Sequence, residues 1–322
     1  MGSNRSAHEA LPPAVLLMGP TAAGKTALAL ALADEFPVEL ISVDSAQVYR
    51  GLDIGAAKPD ARTLARWPHA LIDIRDPEDN YSVAEFVADC EACMIRARAV
   101  GRLPVLVGGT MMYFNALIYG LDDMPPADER LRRQIAAEAD EHGWARLHAE
   151  LAAVDRPTAE AIRPSDPQRI QRAVEVLRLT GQGPSQLRTH NRIPRFDALR
   201  LVVSAADRHV LHERIRDRFE TMLDKGFVDE VSTLRRRPGL SIDHASMRSV
   251  GYRQVWQLLD GLFDEADLNS RVLAATRQLA KRQLTALRRM HGGLWYDLDR
   301  NLTIKRVFRR VAGFSGQCGR RD

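Results

Sequence analysis

Residues 19–26 combine two glycines, a lysine and a hydroxyl at the spacing of a phosphate-binding loop. The glycines let the backbone curl so that successive N–H groups point at an anion, and the start of the following helix adds partial positive charge. Lys25 supplies a full charge, and Thr26 a hydroxyl that can hold Mg²⁺. The predicted site, suited to a di- or triphosphate, consists of Gly19, Pro20, Thr21, Ala22, Ala23, Gly24, Lys25 and Thr26.

The loop predicts what is bound but not the reaction. A kinase would use it to hold ATP, whereas a transferase could use it to hold diphosphate as a leaving group. Both readings stay open on the loop alone.

Two other polar segments directly follow apolar runs. Asp44 comes after the run 38–43, and Gly108-Gly109-Thr110 ends the run that begins at Leu103. Ligands of open α/β sheets bind at the carboxyl ends of the strands. Asp44 could organise Mg²⁺, or it could act as a base or hydrogen-bond acceptor toward a second substrate, which we favour.

The elements that must position these residues alternate in type. Apolar runs typical of strands buried on both faces alternate with helical patterns, which indicates an α/β fold with a doubly wound parallel sheet. The predicted strands are 14–18, 38–43, 70–74, 103–107 and 199–203, and the main predicted helices are 27–36, 83–100, 166–180, 208–225 and 270–290.

The hydrophobic pattern of the sequence changes after about residue 118, where charged helical segments replace strand patterns. We therefore predict a helical insertion domain over 120–195. The α/β core domain with its C-terminal helices would comprise 1–119 and 196–314, and a Gly-rich flexible tail 315–322.

The composition is that of an ordinary globular protein, with 45% hydrophobic and 27% charged residues, which excludes disordered and fibrous classes. No apolar run is long enough to span a membrane, and the first residues lack the apolar region of a signal peptide. Three cysteines in 322 residues favour a reducing, cytoplasmic setting, and we interpret Cys90 and Cys93 as plain helix thiols.

Positive charge is concentrated at one end of the chain. Residues 271–322 hold thirteen Lys+Arg and three Asp+Glu, although the whole chain nets only +4. In the predicted helix 270–290 the basic side chains share one arc of about 140° and leucines occupy the other side. This pattern favours a polyanion-binding face over a solvated one. The basic residues are Arg271, Arg277, Lys281, Arg282, Arg288 and Arg289.

Six motifs, in one order over residues 14–296, closely resemble the bacterial tRNA dimethylallyltransferases, the IPP transferase family. They are GPTAAGKT, VDSAQVYRGLDIGAAKP, LVGGTMMYF, RPSDPQRIQRAVEV, SVGYRQ and TRQLAKRQLTALRR. The resemblance implies a fold like that of P-loop nucleotide kinases, with dimethylallyl diphosphate and Mg²⁺ in place of ATP in the loop. It also implies transfer of the dimethylallyl group to N6 of adenosine 37, in tRNAs that read codons beginning with U.

The resemblance assigns roles to residues at matching positions. Asp44 would accept the proton from N6, and Thr110 would lie near the bridging oxygen and the target base. Lys25 and Arg218 would stabilise the diphosphate, and only the motif selects Arg218 over Arg214, one helical turn away. Predicted tRNA contacts are Asp44, Ser45, Ala46, Gln47, Thr110, Arg132, Gln168, Arg169, Ile170, Gln171, Arg172, Arg248, Ser249, Val250, Gly251, Tyr252, Arg253, Lys281, Arg282 and Arg288.

The chain departs from the family pattern at a few apolar positions. Met111 and Met112 replace other apolar residues and could reshape the prenyl pocket, and Ala286 stands where relatives often have Trp. We expect a monomer without membrane contact that acts on the anticodon stem-loop. The rival interpretations are an ATP-dependent small-molecule kinase, a prenyltransferase for free adenine nucleotides, and a non-catalytic RNA-binding module.

Overall fold

A computed structural model describes residues 11–188 and 193–318. The strands are Ala14–Met18 (β1), Val38–Val43 (β2), His69–Ala70 (β3), Leu103–Gly108 (β4), Ala198–Val203 (β5) and Leu294–Tyr296 (β6). The helices are Lys25–Glu35 (α1), Ala61–Arg66 (α2), Val83–Ala99 (α3), Met111–Tyr119 (α4), Glu129–His142 (α5), Trp144–Val154 (α6), Arg156–Ala161 (α7), Pro167–Thr180 (α8), Pro184–Leu187 (α9), Arg208–Asp224 (α10), Phe227–Arg235 (α11), Tyr252–Leu259 (α12), Glu265–Arg288 (α13) and Thr303–Cys318 (α14).

The six strands form one sheet in the order β3-β2-β4-β1-β5-β6, and every neighbouring pair is parallel. Strand β1 lies inside the sheet and is buried along its whole length, as its unbroken apolar run predicts. The predicted α/β fold with a parallel sheet and flanking helices is confirmed.

The strands near the edges differ from the sequence prediction. The predicted strand 70–74 is only the two-residue β3, because Leu71 and Asp73 adopt positive φ angles that extended strands do not allow. Strand β6 was not predicted; its three residues are too few to show a periodic pattern.

Helix α14, the last described helix, packs against the same core as α1. Val307 and Val311 of α14 are fully buried and join the core cluster that contains Leu28 and Leu32 of α1. This packing explains why residues 315–318, expected in a flexible tail, continue α14 to Cys318. The last four residues of that predicted tail lie outside the described residues.

Helix starts follow the predicted side-chain chemistry. Ser82 and Glu85 form a reciprocal capping box at α3, and Asp166 caps α8 by accepting from the Arg169 amide. Helix α13 begins five residues earlier than predicted, because Glu265 and Asp267 in its first turn complement the helix dipole.

The described residues fall into two compact units, divided after residues 118 and 193. The first, which we call the sheet unit, contains the sheet, helices α1–α3, all but the last residue of α4, and helices α10–α14. The second, the helical unit, contains α5–α9 around a core of Ile135, Leu151, Ile170 and Val174, all fully buried. Within the described part of the chain, no helix is long and apolar enough to cross a membrane.

Candidate active site

The phosphate loop connects β1 to α1, as its sequence predicts. Gly24 occupies the N-cap of α1 with φ of +87°, a conformation that a residue with a Cβ rarely adopts. The Lys25 ammonium donates to the Pro20 carbonyl at 2.8 Å, which holds the lysine over the loop. The Thr26 hydroxyl is in the first turn of α1, and the residue is exposed.

Lys25 lies close to a second cation and to one carboxylate. Burial, reinforced by the nearby Arg218 and opposed by Asp44, lowers the pKa of Lys25 to about 8. Burial likewise lowers the pKa of Arg218, and Asp44 again opposes the shift. The two cations exceed the one carboxylate in charge, so the site favours an added anion.

The choice of Arg218 over Arg214 now has a geometric basis. Both side chains are on α10, but Arg214 is paired with Asp299. Arg218 interacts electrostatically with Lys25 and Asp44. Of the two arginines, Arg218 is therefore the one that lies near the lysine of the phosphate loop.

Asp44 is held in a turn immediately after β2. Its Oδ1 accepts from the amides of Ala46 at 2.8 Å and Gln47 at 3.3 Å. Within the described residues Oδ2 has no hydrogen-bond partner, so it can accept a proton or hydrogen bond from a substrate. The Gln47 side chain instead bonds to Ser42 and supports the turn itself.

Thr110 links the ends of two strands. Its amide donates to the Val43 carbonyl at 3.3 Å, and its hydroxyl oxygen accepts from the Ser45 amide at 3.2 Å. These bonds place Thr110 beside the Asp44 turn at the carboxyl edge of the sheet, as predicted from the parallel strands.

Gln283 of α13 joins the phosphate loop to the end of β4 and was missed by the sequence analysis. Its Oε1 accepts from the Thr21 amide at 2.9 Å, and its Nε2 donates to the Gly109 carbonyl at 3.0 Å. A Cβ at Gly109 would lie 2.4 Å from that Nε2, so only glycine allows the contact. The available signal was a glutamine on the apolar side of α13, where a polar side chain requires partners.

The segment 248–253 divides into exposed and buried residues. Arg248 and Arg253 are exposed, whereas Tyr252 is fully buried and donates to Glu230 Oε1 at 2.6 Å. Glu230 also accepts from the amides of residues 53–55. Tyr252, predicted to contact RNA, therefore supports the loop after Asp44 with its side chain, and the pKa of its hydroxyl is raised by burial and by Glu230.

The predicted RNA contacts in the helical unit are mostly engaged within the protein. Arg132 and Arg172 both bond to the fully buried Glu175, at 2.9 and 2.5 Å. Burial would raise the pKa of Glu175, but hydrogen bonds from Arg172, the Asp128 amide and Arg132 hold it below its usual range. The Ile170 side chain is buried in the core of the unit rather than presented to a partner.

The other predicted contacts on α8 are arranged differently. Gln171 donates to the Arg132 carbonyl at 3.0 Å. Gln168 and Arg169 are exposed, and Arg169 lies 3.5 Å from Asp166.

Helix α13 is amphipathic, as predicted, with a basic face and an apolar face. Lys281, Arg282 and Arg288 are exposed, and none has a carboxylate partner within the described residues. Val272 and Leu287 on the other side of the helix are buried.

The side chains at this site do not by themselves surround a metal ion. The described residues contain no group of three or more His, Cys, Asp or Glu side chains that could hold a metal ion. Mg²⁺ commonly uses one or two protein ligands and takes the others from water and substrate phosphates. The exposed Thr26 hydroxyl at the phosphate loop fits that mode.

The fold and the site define a phosphate-loop α/β enzyme with a helical unit inserted before β5. The model of the IPP transferase family matches residues 47–290. The chain is 55% identical to a tRNA dimethylallyltransferase of Thiobacillus denitrificans over 89% of this chain and 92% of that one. It is 50% identical to one of Dechloromonas aromatica, over 94% and 98%.

A solved structure is also similar to this chain over nearly its whole length. The full-length tRNA isopentenylpyrophosphate transferase of Bacillus halodurans is 34% identical and superposes with a TM-score of 0.70, over 96% of this chain and 98% of that one. The chain belongs to the IPP transferase family, an enzyme family of prenyltransferases. The family predicted from the six motifs is confirmed.

Proposed function

We propose that this protein transfers the dimethylallyl group of dimethylallyl diphosphate to N6 of adenosine 37 in tRNAs that read codons beginning with U. The observation that carries the proposal is the grouping of Lys25, Arg218 and Asp44 at the carboxyl edge of the sheet. Two cations suit a leaving diphosphate, and a carboxylate with a free oxygen suits the nucleophile. The names of the relatives support both substrates.

In the proposed reaction the bond between the allylic carbon and the diphosphate oxygen breaks, and the oxygen keeps the electron pair. The growing negative charge is stabilised by Lys25, Arg218 and the loop amides. When bound, Mg²⁺ supplies further positive charge to the diphosphate, with Thr26 as its protein ligand. We assign Thr110 as a hydrogen-bond donor to the bridging oxygen.

The acceptor nitrogen is a weak nucleophile because its lone pair is delocalised into the adenine ring. As the N6–carbon bond forms, the nitrogen loses a proton, and Asp44 Oδ2 is the acceptor we assign. Its Oδ1 remains fixed by the Ala46 and Gln47 amides, which orients the carboxylate.

The target base must leave its stack to reach this edge. A base in a single-stranded loop can be extruded at lower cost than one in a duplex, which favours the anticodon loop as the substrate region. The unpaired cations of α13 would hold the RNA backbone, and Arg248 and Arg253 add exposed charge. We further propose that the enzyme acts as a monomer in the cytoplasm, where its three free cysteines remain reduced.

The direct test is incubation with labelled dimethylallyl diphosphate, Mg²⁺ and an anticodon stem-loop with three consecutive adenosines. We expect label on the RNA and release of diphosphate, and no transfer of phosphate from ATP to RNA or to small acceptors. Use of ATP as the donor, or label on free adenine nucleotides but not on RNA, would replace this proposal with one of the rival interpretations.

A further inference from the structure

A cavity of about 710 Å³ opens beside the carboxyl ends of β5 and β6, within the sheet unit. Its floor includes Leu211 of α10 and Ala280 of α13, which pack against each other with the partly buried Leu284. Among the described residues that line it there is no member of the phosphate loop, and neither Asp44 nor Thr110. The cavity is therefore separate from the groups assigned to the reaction.

The lining is strongly basic. Its only carboxylate, among the described residues, is Asp297, which already accepts from the amides of Ala206 and Asp299 at 3.1 Å each and lies 3.8 Å from Arg300. That carboxylate cannot neutralise the surrounding charge. The cations of the cavity are Arg208, Arg277, Lys281, Arg288, Arg300 and Arg306.

Arg277 shows that the charge is uncompensated. Its Nε is buried and is the one side-chain nitrogen or oxygen of this kind, in the described part of the chain, without a hydrogen-bond partner. Burial lowers the pKa of the neighbouring His212, and Arg277 and Arg208 lower it further. A buried donor without a partner is destabilising, and an oxyanion at this position would remove that cost.

The presence of Trp295 favours a nucleic acid over a small anion as the ligand of this cavity. The residue lies on the edge strand β6, lines the cavity, and is 46% exposed. A basic groove with an accessible aromatic ring is the combination that binds single-stranded nucleic acid, because phosphates contact the cations and a base stacks on the ring. A free diphosphate has no aromatic group that could stack on the indole ring.

We infer that this cavity, which shares Lys281 and Arg288 with the basic face of α13, extends that face as an RNA-binding surface: it holds backbone phosphates with Arg277 and Arg306 and stacks an unpaired base on Trp295. The inference rests on the proposed function and deepens it, since the RNA is the substrate whose reacting adenosine lies at Asp44. The site contributes RNA affinity and takes no part in bond making or breaking.

The test measures the affinity of a fluorescent anticodon stem-loop by anisotropy at several salt concentrations. Arg277→Gln and Arg306→Gln should each weaken binding roughly five- to tenfold and reduce the slope of log affinity against log salt by about 0.7 to 0.9. Trp295→Ala should weaken binding roughly fivefold or more without changing the slope, and Trp295→Phe should retain most of the affinity. The matched control is Arg310→Gln, an exposed change on α14 outside the cavity.

The outcomes separate this inference from the proposed function. Variants that bind RNA like Arg310→Gln would overturn this inference, even if the wild type transfers the prenyl group normally. Variants that lose affinity for inorganic pyrophosphate rather than RNA would assign the cavity to the donor and also overturn it. Failure of the wild type to prenylate RNA would overturn the proposed function, whatever the affinities are.

Discussion

Predicted RNA-binding cations occur in two regions, and the structure treats them differently. In the helical unit, Arg132 and Arg172 are bonded to the buried Glu175. On α13, Lys281, Arg282 and Arg288 are exposed and have no carboxylate partner within the described residues. Basic residues of equal appearance in sequence thus differ in whether a carboxylate pairs with them, and we expect those without such a partner to be the ones that bind RNA.

We expect the largest effect from replacing Lys25, a cation whose charge no carboxylate fully compensates. Lys25→Ala should lower single-turnover transfer by roughly 10²- to 10³-fold, because a preorganised charge on the leaving group is lost. The free energy of unfolding should not fall, since burial next to Arg218 already disfavours the ammonium. Rapid-quench assays and urea unfolding measure the two quantities. Near-normal transfer would remove Lys25 from the mechanism.

The same lysine gives a pH dependence. Its pKa of about 8 in the free protein means that the ammonium is present below pH 8 and lost as pH rises above it. The affinity for inorganic pyrophosphate should therefore fall between pH 7 and 9 by more in the wild type than in Lys25→Arg, whose charge persists. Titration calorimetry at both pH values measures this, and identical profiles for the two proteins would contradict it.

Removing the carboxylate that pairs with two cations should instead lower the stability of the protein. Glu175→Ala leaves Arg132 and Arg172 without their buried partner and should cost about 3 kcal/mol of unfolding free energy in the helical unit. Circular dichroism with urea would show the loss. Exposed Glu129→Ala, which removes a weaker 3.4 Å pair with Arg132, is the matched control and should change stability by less than about 1 kcal/mol.

Charge reversal on α13 tests the binding side of the comparison. The double variant Lys281→Glu with Arg282→Glu should weaken stem-loop binding by roughly tenfold or more and flatten its salt dependence, without destabilising the exposed helix face. Anisotropy titrations from low to high salt provide the measurement. A salt slope equal to that of the wild type would mean that this face is only solvated.

Gln283 lies on the same helix but is fully engaged within the protein. Gln283→Leu would leave the Thr21 amide and the Gly109 carbonyl without their partner. We expect roughly tenfold slower transfer with unchanged RNA affinity, corresponding to about 1–3 kcal/mol for unsatisfied polar groups. A loss of RNA affinity with unchanged transfer at saturation would instead place Gln283 among the binding residues.

The smallest effect is expected at Arg169. This exposed residue lies 3.5 Å from Asp166 and is neither buried nor fully unpaired. Arg169→Gln should change RNA affinity by less than about threefold, because an exposed pair is worth little and solvent screens it. A loss of roughly tenfold, as expected for the double charge reversal on α13, would show that this weak pair does not prevent RNA binding.

Much of the fold was predictable because its signals are local. The central strands are continuous apolar runs, since both faces of a parallel sheet are covered, and the capping side chains of α3 and α8 mark helix starts. The phosphate loop and Asp44 were predictable for the same reason: each directly follows a recognisable strand.

The remaining features depend on distant partners. Gln283 bonds to residues 262 and 174 positions away in the chain, and the aromatic and basic cavity joins side chains from β6, α10, α13 and α14. No spacing within the sequence encodes such meetings, because they arise only when elements pack.

The sequence by itself determined the parallel sheet, the phosphate loop, the family and the overall concentration of positive charge near the end of the chain. Only the tertiary structure decided which charges are used within the protein and which stay available to a ligand. The physical reason is that residue type sets the charge of a side chain, whereas its compensation depends on which groups folding brings within hydrogen-bond distance.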